Sequence, residues 1–280
     1  MYNLLFEPLH ELKEYTQLLE YAKVRTGKRP ERRTVELVGL TDSQRAHVLA
    51  ALCSDTGRPL IIVTANQLIA EKLLSDLARM LDRAAALLPA REVSFSSLAS
   101  SHELSSRRLD ALYRALSGQL RALVLPVDAI LHRLMPRDEF MRNVITFHEG
   151  DRHPLDELVK RLIGAGYERV DMIEGRGQMA LRGGILDIYS PGDMPAVRIE
   201  FFDDEVDSIR ALDVLTQRSG DRLREATVLP ASEAPIAPDD ERLTALARRF
   251  AAIAPRVAVR PENSDIPPWE DDDTPDDELP

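Results

Sequence analysis

Two periodicities divide the chain near residue 144. Before it, compact apolar runs alternate with stretches whose apolar residues recur at helical spacing. Leu9, Leu12, Leu18, Leu19 and Ala22 follow Pro8 at such spacing and predict an opening amphipathic helix, closed by "TGKRP". The runs "VELVGL" (35–40), "PLIIVT" (59–64) and "ALVLPV" (122–127) predict strands. Between them, "DSQRAHVLAAL", with Asp42 or Ser43 as N-cap, "NQLIAEKLLSDLARML", capped near Asn66, and "ELSSRRLDALYRAL" predict helices. Strands alternating with helices over some 30 residues each imply a parallel sheet with helices on both faces.

Beyond residue 144 the pattern shortens. "VITFHEG" and one helix, "PLDELVKRLIGAGY", precede short runs separated by turn residues. In Val197, Arg198, Ile199, Glu200 and Phe201, apolar and polar positions alternate, as they do on a half-exposed antiparallel strand. The predicted fold class is therefore α/β. A parallel-sheet lobe spans 1–144, with an inserted or following smaller α+β module of antiparallel strands over 145–236. A short helical stretch, "DERLTALARRFAAI", then leads into an acidic tail, and the two make up 237–280.

Charge changes this picture only at the end. The net charge of −11 is local, because residues 261–280 carry 9 acids and no base, while residues 1–260 hold 36 bases against 38 acids. A nearly neutral body gives no support for strong electrostatic binding of nucleic acid. The tail, with 5 prolines among its acids, has too little apolar surface to offset the entropy of ordering and reads as disordered. One cysteine, Cys53, excludes an internal disulfide framework. No run approaches the roughly 20 apolar residues of a membrane span, and the start lacks a signal-peptide pattern, so a cytoplasmic location is expected.

Chemistry is sparse. "GLTDSQRA" has the outline of a phosphate-binding loop: a strand-like run ends at Gly39, and Gln44, Arg45 and Ala46 stand where the pattern G-x-x-x-x-G-K-[ST] has Gly, Lys and Ser or Thr. Gln44 carries a Cβ where backbone N–H groups should wrap a phosphate, and Ala46 has no oxygen for magnesium. Asp42 brings a carboxylate to the helix N-terminus, the place a phosphate would use. On these residues alone the stretch is either a degenerate loop or an ordinary βα turn. "RIEFFDDE" invites comparison with a magnesium-binding strand end, but the alternation of Arg198 and Glu200 with apolar neighbours makes Asp203, Asp204 and Glu205 a polar turn. The six histidines are scattered, "HEGDRH" reads as a solvated loop, Cys53 as a small core residue, and no G-x-S-x-G elbow occurs. No catalytic residue, metal site or cofactor is expected.

The segments "RGGILDIY", "VRIEFFDDEVDSIR" and "DVLTQRS", together with "SRRLDALYRAL" and "LPVDAILHRLMP", resemble the UvrB-homologous N-terminal region of the bacterial transcription-repair coupling factors. The resemblance covers roughly residues 5–235. It implies a RecA-like, P-loop-type lobe whose phosphate loop has degenerated, carrying a module that binds the excision-repair protein UvrA. In that family, RNA polymerase binding and ATP-driven DNA translocation belong to later domains. The resemblance thus implies a non-catalytic adaptor, with RNA polymerase and DNA as partners only of a full-length form, and no membrane. It places two interface arginines at Arg169 and Arg182, with Phe202 as a further candidate. Arginine suits the role, since its planar fork can grip a carboxylate through two hydrogen bonds. Two alternatives stand beside the adaptor: an ATP-using repair helicase fragment of UvrB type, and a general interaction protein acting through its acidic tail with Trp269.

Overall fold

The computed structural model describes residues 4–23, 34–91, 98–234 and Arg248. The chain divides into two units, Met1–Pro238 and Asp239–Pro280. The predicted helix "DERLTALARRFAAI", apart from Arg248, and the acidic tail lie outside the described residues. The first unit is mixed α/β, with a small parallel sheet and two antiparallel-containing sheets.

The opening amphipathic stretch forms two helices, α1 (Glu7–His10) and α2 (Lys13–Lys23), instead of one. Next come α3 (Asp42–Thr56), β1 (Leu60–Thr64) and α4 (Gln67–Leu81). After a single 3₁₀ turn come β2 (Ala85–Leu87), α5 (Leu98–Leu116), β3 (Ala122–Pro126) and the short helices α6 (Val127–Ile130) and α7 (Arg137–Arg142). The three strands are parallel, in the order β1-β3-β2. Helices cover both faces. Ala46, Ala50, Cys53, Ala70 and Leu77 of α3 and α4 pack on Ala85, Ala122 and Val124, while Ala111 of α5 packs with Ala86 and Leu125 on the other side. The second face is incompletely covered, for Ile61 and Val63 on β1 are 73% and 50% exposed.

The predicted strand at 35–40 does not form. Residues 34–40 make no ladder, and Val35, Leu37 and Val38 are exposed. A strand exists only where a neighbour takes up its N–H and C=O groups, and β1 pairs with β3 alone among the described strands. Gly39, at φ +79°, instead turns the chain into the cap of α3. That cap is Thr41, not Asp42 or Ser43.

The rest of the unit begins with β4 (Ile145–His148) and α8 (Leu155–Gly164). It continues through β5 (Glu168–Arg169), β6 (Gln178–Arg182), β7 (Ile185–Tyr189), β8 (Ala196–Phe202), β9 (Glu205–Asp213), β10 (Arg218–Arg222) and β11 (Glu225–Val228). Strands β10-β9-β8-β7-β6-β5 make one six-stranded sheet, antiparallel except for the β5–β6 pair, and β4 pairs with β11 in a separate two-stranded ladder. Asp203 and Asp204 form the turn between β8 and β9, with Asp203 at φ +60°. Helix α8 starts after Pro154, carries Asp156 and Glu157 in its first turn, and buries Leu158, Val159 and Leu162. These meet Met179, Leu186, Ile188, Val197, Ile199 and Ile209 from one face of the sheet, with Phe147, Ala226 and Val228 of the β4–β11 ladder closing the core. Strand alternation sends the intervening residues to the other face.

The chain then returns to the lobe. Tyr167 donates its hydroxyl to the Leu229 carbonyl at 2.6 Å, the Gly192 amide donates to Ser106 Oγ at 2.8 Å, and Glu233 accepts from Arg108 on α5.

Candidate functional site

The stretch "LRGGILDIY" makes the β6–β7 hairpin, with Arg182 paired to Ile185 across the two-residue turn Gly183-Gly184. Both glycines have a reason. Gly183 sits at φ +61°, and a Cβ on Gly184 would lie 2.7 Å from the Phe201 carbonyl oxygen, because β8 passes directly beside the turn. The Phe201 amide donates to Gly184 O at 2.8 Å, which fixes that approach.

The register sets what the second face of the sheet presents, which Ile173 and Val170 cover near Ala180, Ala196 and Leu212. Ala180, Asp187, Arg198 and Arg210 stand opposite one another across β6 to β9, and Arg182, Ile185, Glu200 and Ser208 form the next row. Phe201 packs toward the core, so Phe202 alternates outward and is 82% exposed. Arg182 and Phe202 therefore share one face, on strands about 10 Å apart, with Phe202 two residues along β8 from Glu200, which is in line with Arg182 and Ile185.

At the centre of this face is a buried carboxylate. Asp187 is 1% exposed, Arg198 15% and Arg182 49% by side chain. Arg198 grips both carboxylate oxygens of Asp187, donating from Nε at 2.7 Å and Nη2 at 2.8 Å. Arg182 adds a third bond, from Nη2 to Oδ2 at 2.5 Å. The hydrogen bond to Asp187 raises the pKa of Arg198 further above its ordinary value, against the opposing effect of burial.

Arg169 lies elsewhere. On the two-residue edge strand β5 it is in register with Met179, a core-facing residue, whereas its neighbour Glu168 is in register with Gln178 and accepts from it at 3.3 Å on the other side. The structure thus brings Arg182 and Phe202 together and sets Arg169 on the opposite pleat, exposed at the sheet edge.

The residues of the loop-like stretch have local roles. Thr41 and Gln44 form a capping box: the Gln44 amide donates to Thr41 Oγ1 at 3.4 Å, and the Thr41 amide donates to Gln44 Oε1 at 2.9 Å. Arg45 is 3.5 Å from Asp42, which is also 2.8 Å from Lys72. The hydrogen bond and charge of Lys72 hold the Asp42 carboxyl below its ordinary value. Ala46 is fully buried against the lobe core. Thr41 thus takes the Gln44 amide, and the Asp42 carboxylate faces the positive end of the helix dipole.

Other candidates resolve simply. Cys53 is buried, donates to the Arg121 carbonyl at 3.3 Å, and has its thiol pushed up to about 11 by burial. In "HEGDRH", Asp151 bonds the His148 amide at 2.8 Å, which with the His148 ring lowers its pKa. Among the described residues no group of three or more His, Cys, Asp or Glu could hold a metal ion, and no helix is long and apolar enough to cross a membrane.

Asp187 was not legible as part of this face from the sequence. In "ILDIY" it reads as one more polar position of an alternating strand. Its meaning depends on the cross-strand register that puts Arg198 directly opposite.

With this geometry in place, the comparisons with known proteins can be read. Residues 145–233 match the family model of the UvrB interaction domain, so the six-stranded module with its β4–β11 ladder is of that class. Along most of its length the chain is similar to the transcription-repair coupling factors. It is 38% identical to that of Bacillus subtilis (strain 168) over 207 residues, which are 73% of this chain and 18% of the relative. With the coupling factor of Haemophilus influenzae it shares 31% identity over 204 residues, 72% of this chain and 18% of the relative. With that of Escherichia coli (strain K12) it shares 29% over 197 residues, 70% of this chain and 17% of the relative. The chain thus spans less than a fifth of the length of these relatives.

Proposed function

We propose that this chain is a non-catalytic adaptor of transcription-coupled DNA repair that recruits UvrA through the outer face of the β6–β8 sheet. One observation carries the reading: within a module of the UvrB interaction class, that face presents Arg182, Ile185 and Phe202 uncovered. An arginine beside exposed apolar and aromatic side chains is the composition of an interface hot spot. Phe202, at 82% exposure, contributes almost nothing to the free protein's own core, and a partner that covers it gains most of its apolar area.

We read the lobe as a RecA-like fold whose phosphate loop has degenerated and which serves as a scaffold. Supporting this are the capping box that takes the Gln44 amide, the Asp42 carboxylate at the helix start, and the buried Ala46 where a magnesium-binding hydroxyl would stand. RNA polymerase and DNA contacts are assigned to parts of a full-length protein other than these residues.

The test is calorimetry with purified UvrA. Arg182→Ala and Phe202→Ala are each expected to weaken binding more than tenfold, about 2 kcal/mol for a central hot-spot residue. Arg169→Ala, at the sheet edge, is expected to cost less than either. Unchanged affinity in an Arg182→Ala/Phe202→Ala double variant would move the interface to another face.

A further inference from the structure

We propose that Asp187 is a positioning residue of the docking face, holding the Arg182 guanidinium in place for the partner; this rests on the UvrA reading above. Two guanidinium groups converge on one buried carboxylate, so the cluster keeps one positive charge after internal pairing. The two arginines do not share that carboxylate equally. Arg198 is used up: Nε and Nη2 bond Asp187, and Nη1 reaches the Gln217 carbonyl at 3.4 Å and Ser219 Oγ at 3.2 Å. Arg182 has a single such bond, through Nη2 to Asp187, and remains half exposed.

The register explains this division. Asp187 stands directly opposite Arg198 on β8, but only diagonally from Arg182, whose direct partner on β7 is Ile185. Arg182 must therefore lean along the sheet to reach Asp187, and that lean fixes where its fork points. Its Nε–H and Nη1 hydrogens have no partner among the described residues, and the side chain is half exposed. A long arginine chain on an open sheet face is ordinarily free to sample many rotamers, and ordering it on binding weakens the complex. Asp187 does that ordering in the free protein, while Arg198 keeps the carboxylate paired whether or not Arg182 is engaged. Glu200, the one acidic residue in the Arg182 row, accepts from the Ser208 hydroxyl at 3.0 Å and makes no ion pair with Arg182 among the described residues.

Two measurements decide the matter. In protein labelled with ¹⁵N-arginine, relaxation of the Nε–H groups should show Arg182 nearly as ordered as Arg198 and far more ordered than Arg218, exposed on β10. Arg182 as mobile as Arg218 would overturn the proposal without any mutant. The second is a double-mutant cycle for UvrA affinity. Asp187→Asn should weaken binding about tenfold in the wild-type background and less than about twofold in an Arg182→Ala background, because Asp187 acts through Arg182. A general structural role predicts equal losses in both backgrounds, and that outcome would also overturn it. Should Asp187→Asn not fold, the wild-type relaxation data still decide. If wild-type protein does not bind UvrA at all, the recruiting function is what fails, and the relaxation experiment separately reports whether Asp187 orders Arg182.

Discussion

Arg108 and Glu233, 125 residues apart, form a two-bond ion pair in which Nε and Nη2 donate to the two carboxylate oxygens at 2.5 and 3.0 Å. Both side chains are buried, 1% and 7% exposed, and Nη1 is taken by the Pro89 carbonyl. The pair fastens the segment after β11 to α5 of the lobe. Glu233→Ala strands a buried guanidinium and is expected to destabilise the fold by about 3–5 kcal/mol, whereas the double variant Arg108→Met/Glu233→Leu should recover much of that loss. Urea unfolding of the two variants beside wild type checks both signs.

Gly184→Ala is expected to cost about 1–3 kcal/mol, the range for overfilling a packed position. Its Cβ would meet the Phe201 carbonyl at 2.7 Å, where backbone and not a flexible side chain must move. Because the same shift displaces Ile185 and Phe202, UvrA affinity should fall as well as melting temperature. Gly150→Ala, strained in backbone but with open space around its Cβ, should lower only the melting temperature.

Cys53 should resist alkylation in the native protein up to about pH 10 and react at once on unfolding. Burial raises its thiol to about 11, so below that value the folded state keeps the proton that the unfolded chain gives up near the ordinary thiol value. The folded form therefore binds more protons in this window, and stability falls as pH rises from about 8.5 toward 11. A Cys53→Ser variant should lose that slope. Timed iodoacetamide labelling and pH-resolved unfolding are the measurements.

Neither binding nor hydrolysis of ATP is expected. Titration with a fluorescent ATP analogue and magnesium should show no saturable signal, and thermal unfolding should be unmoved by nucleotide. Thr41→Ala should lower stability by about 1 kcal/mol through loss of the cap, again without any response to nucleotide. Micromolar binding would restore a working phosphate site to this helix start.

Most of the architecture was legible because its signals are local. Asn66 caps α4 as its side chain predicts, accepting from the Ile69 amide at 2.9 Å, and the alternation around Ile199 produced β8 with its two-faced pleat. What failed depended on partners. Val35, Leu37 and Val38 have strand composition, yet among the described residues no strand takes up their backbone, and β2 was missed because three residues at the sheet edge of β3 carry almost no pattern. The face proposed to dock UvrA was half visible. The motif names Arg182 and Phe202 as candidates, but that they share a face, that Arg169 does not, and that Asp187 lies diagonally from Arg182 all follow from register. Register comes from pairing between strands, and no single strand encodes it.

The β4–β11 ladder brings the first and last strands of the module side by side, Ile145 against Val228. The segment matching the UvrB interaction domain, 145–233, starts at one rail of that ladder and ends just past the other. A fold whose entrance and exit coincide needs only one seam with its host, because nothing else in its backbone must be threaded through the surrounding protein. Such a module is portable: the same sheet can be installed in hosts with quite different machinery, provided each offers a single gap for the two adjacent rails and partners for Gly192 and Glu233.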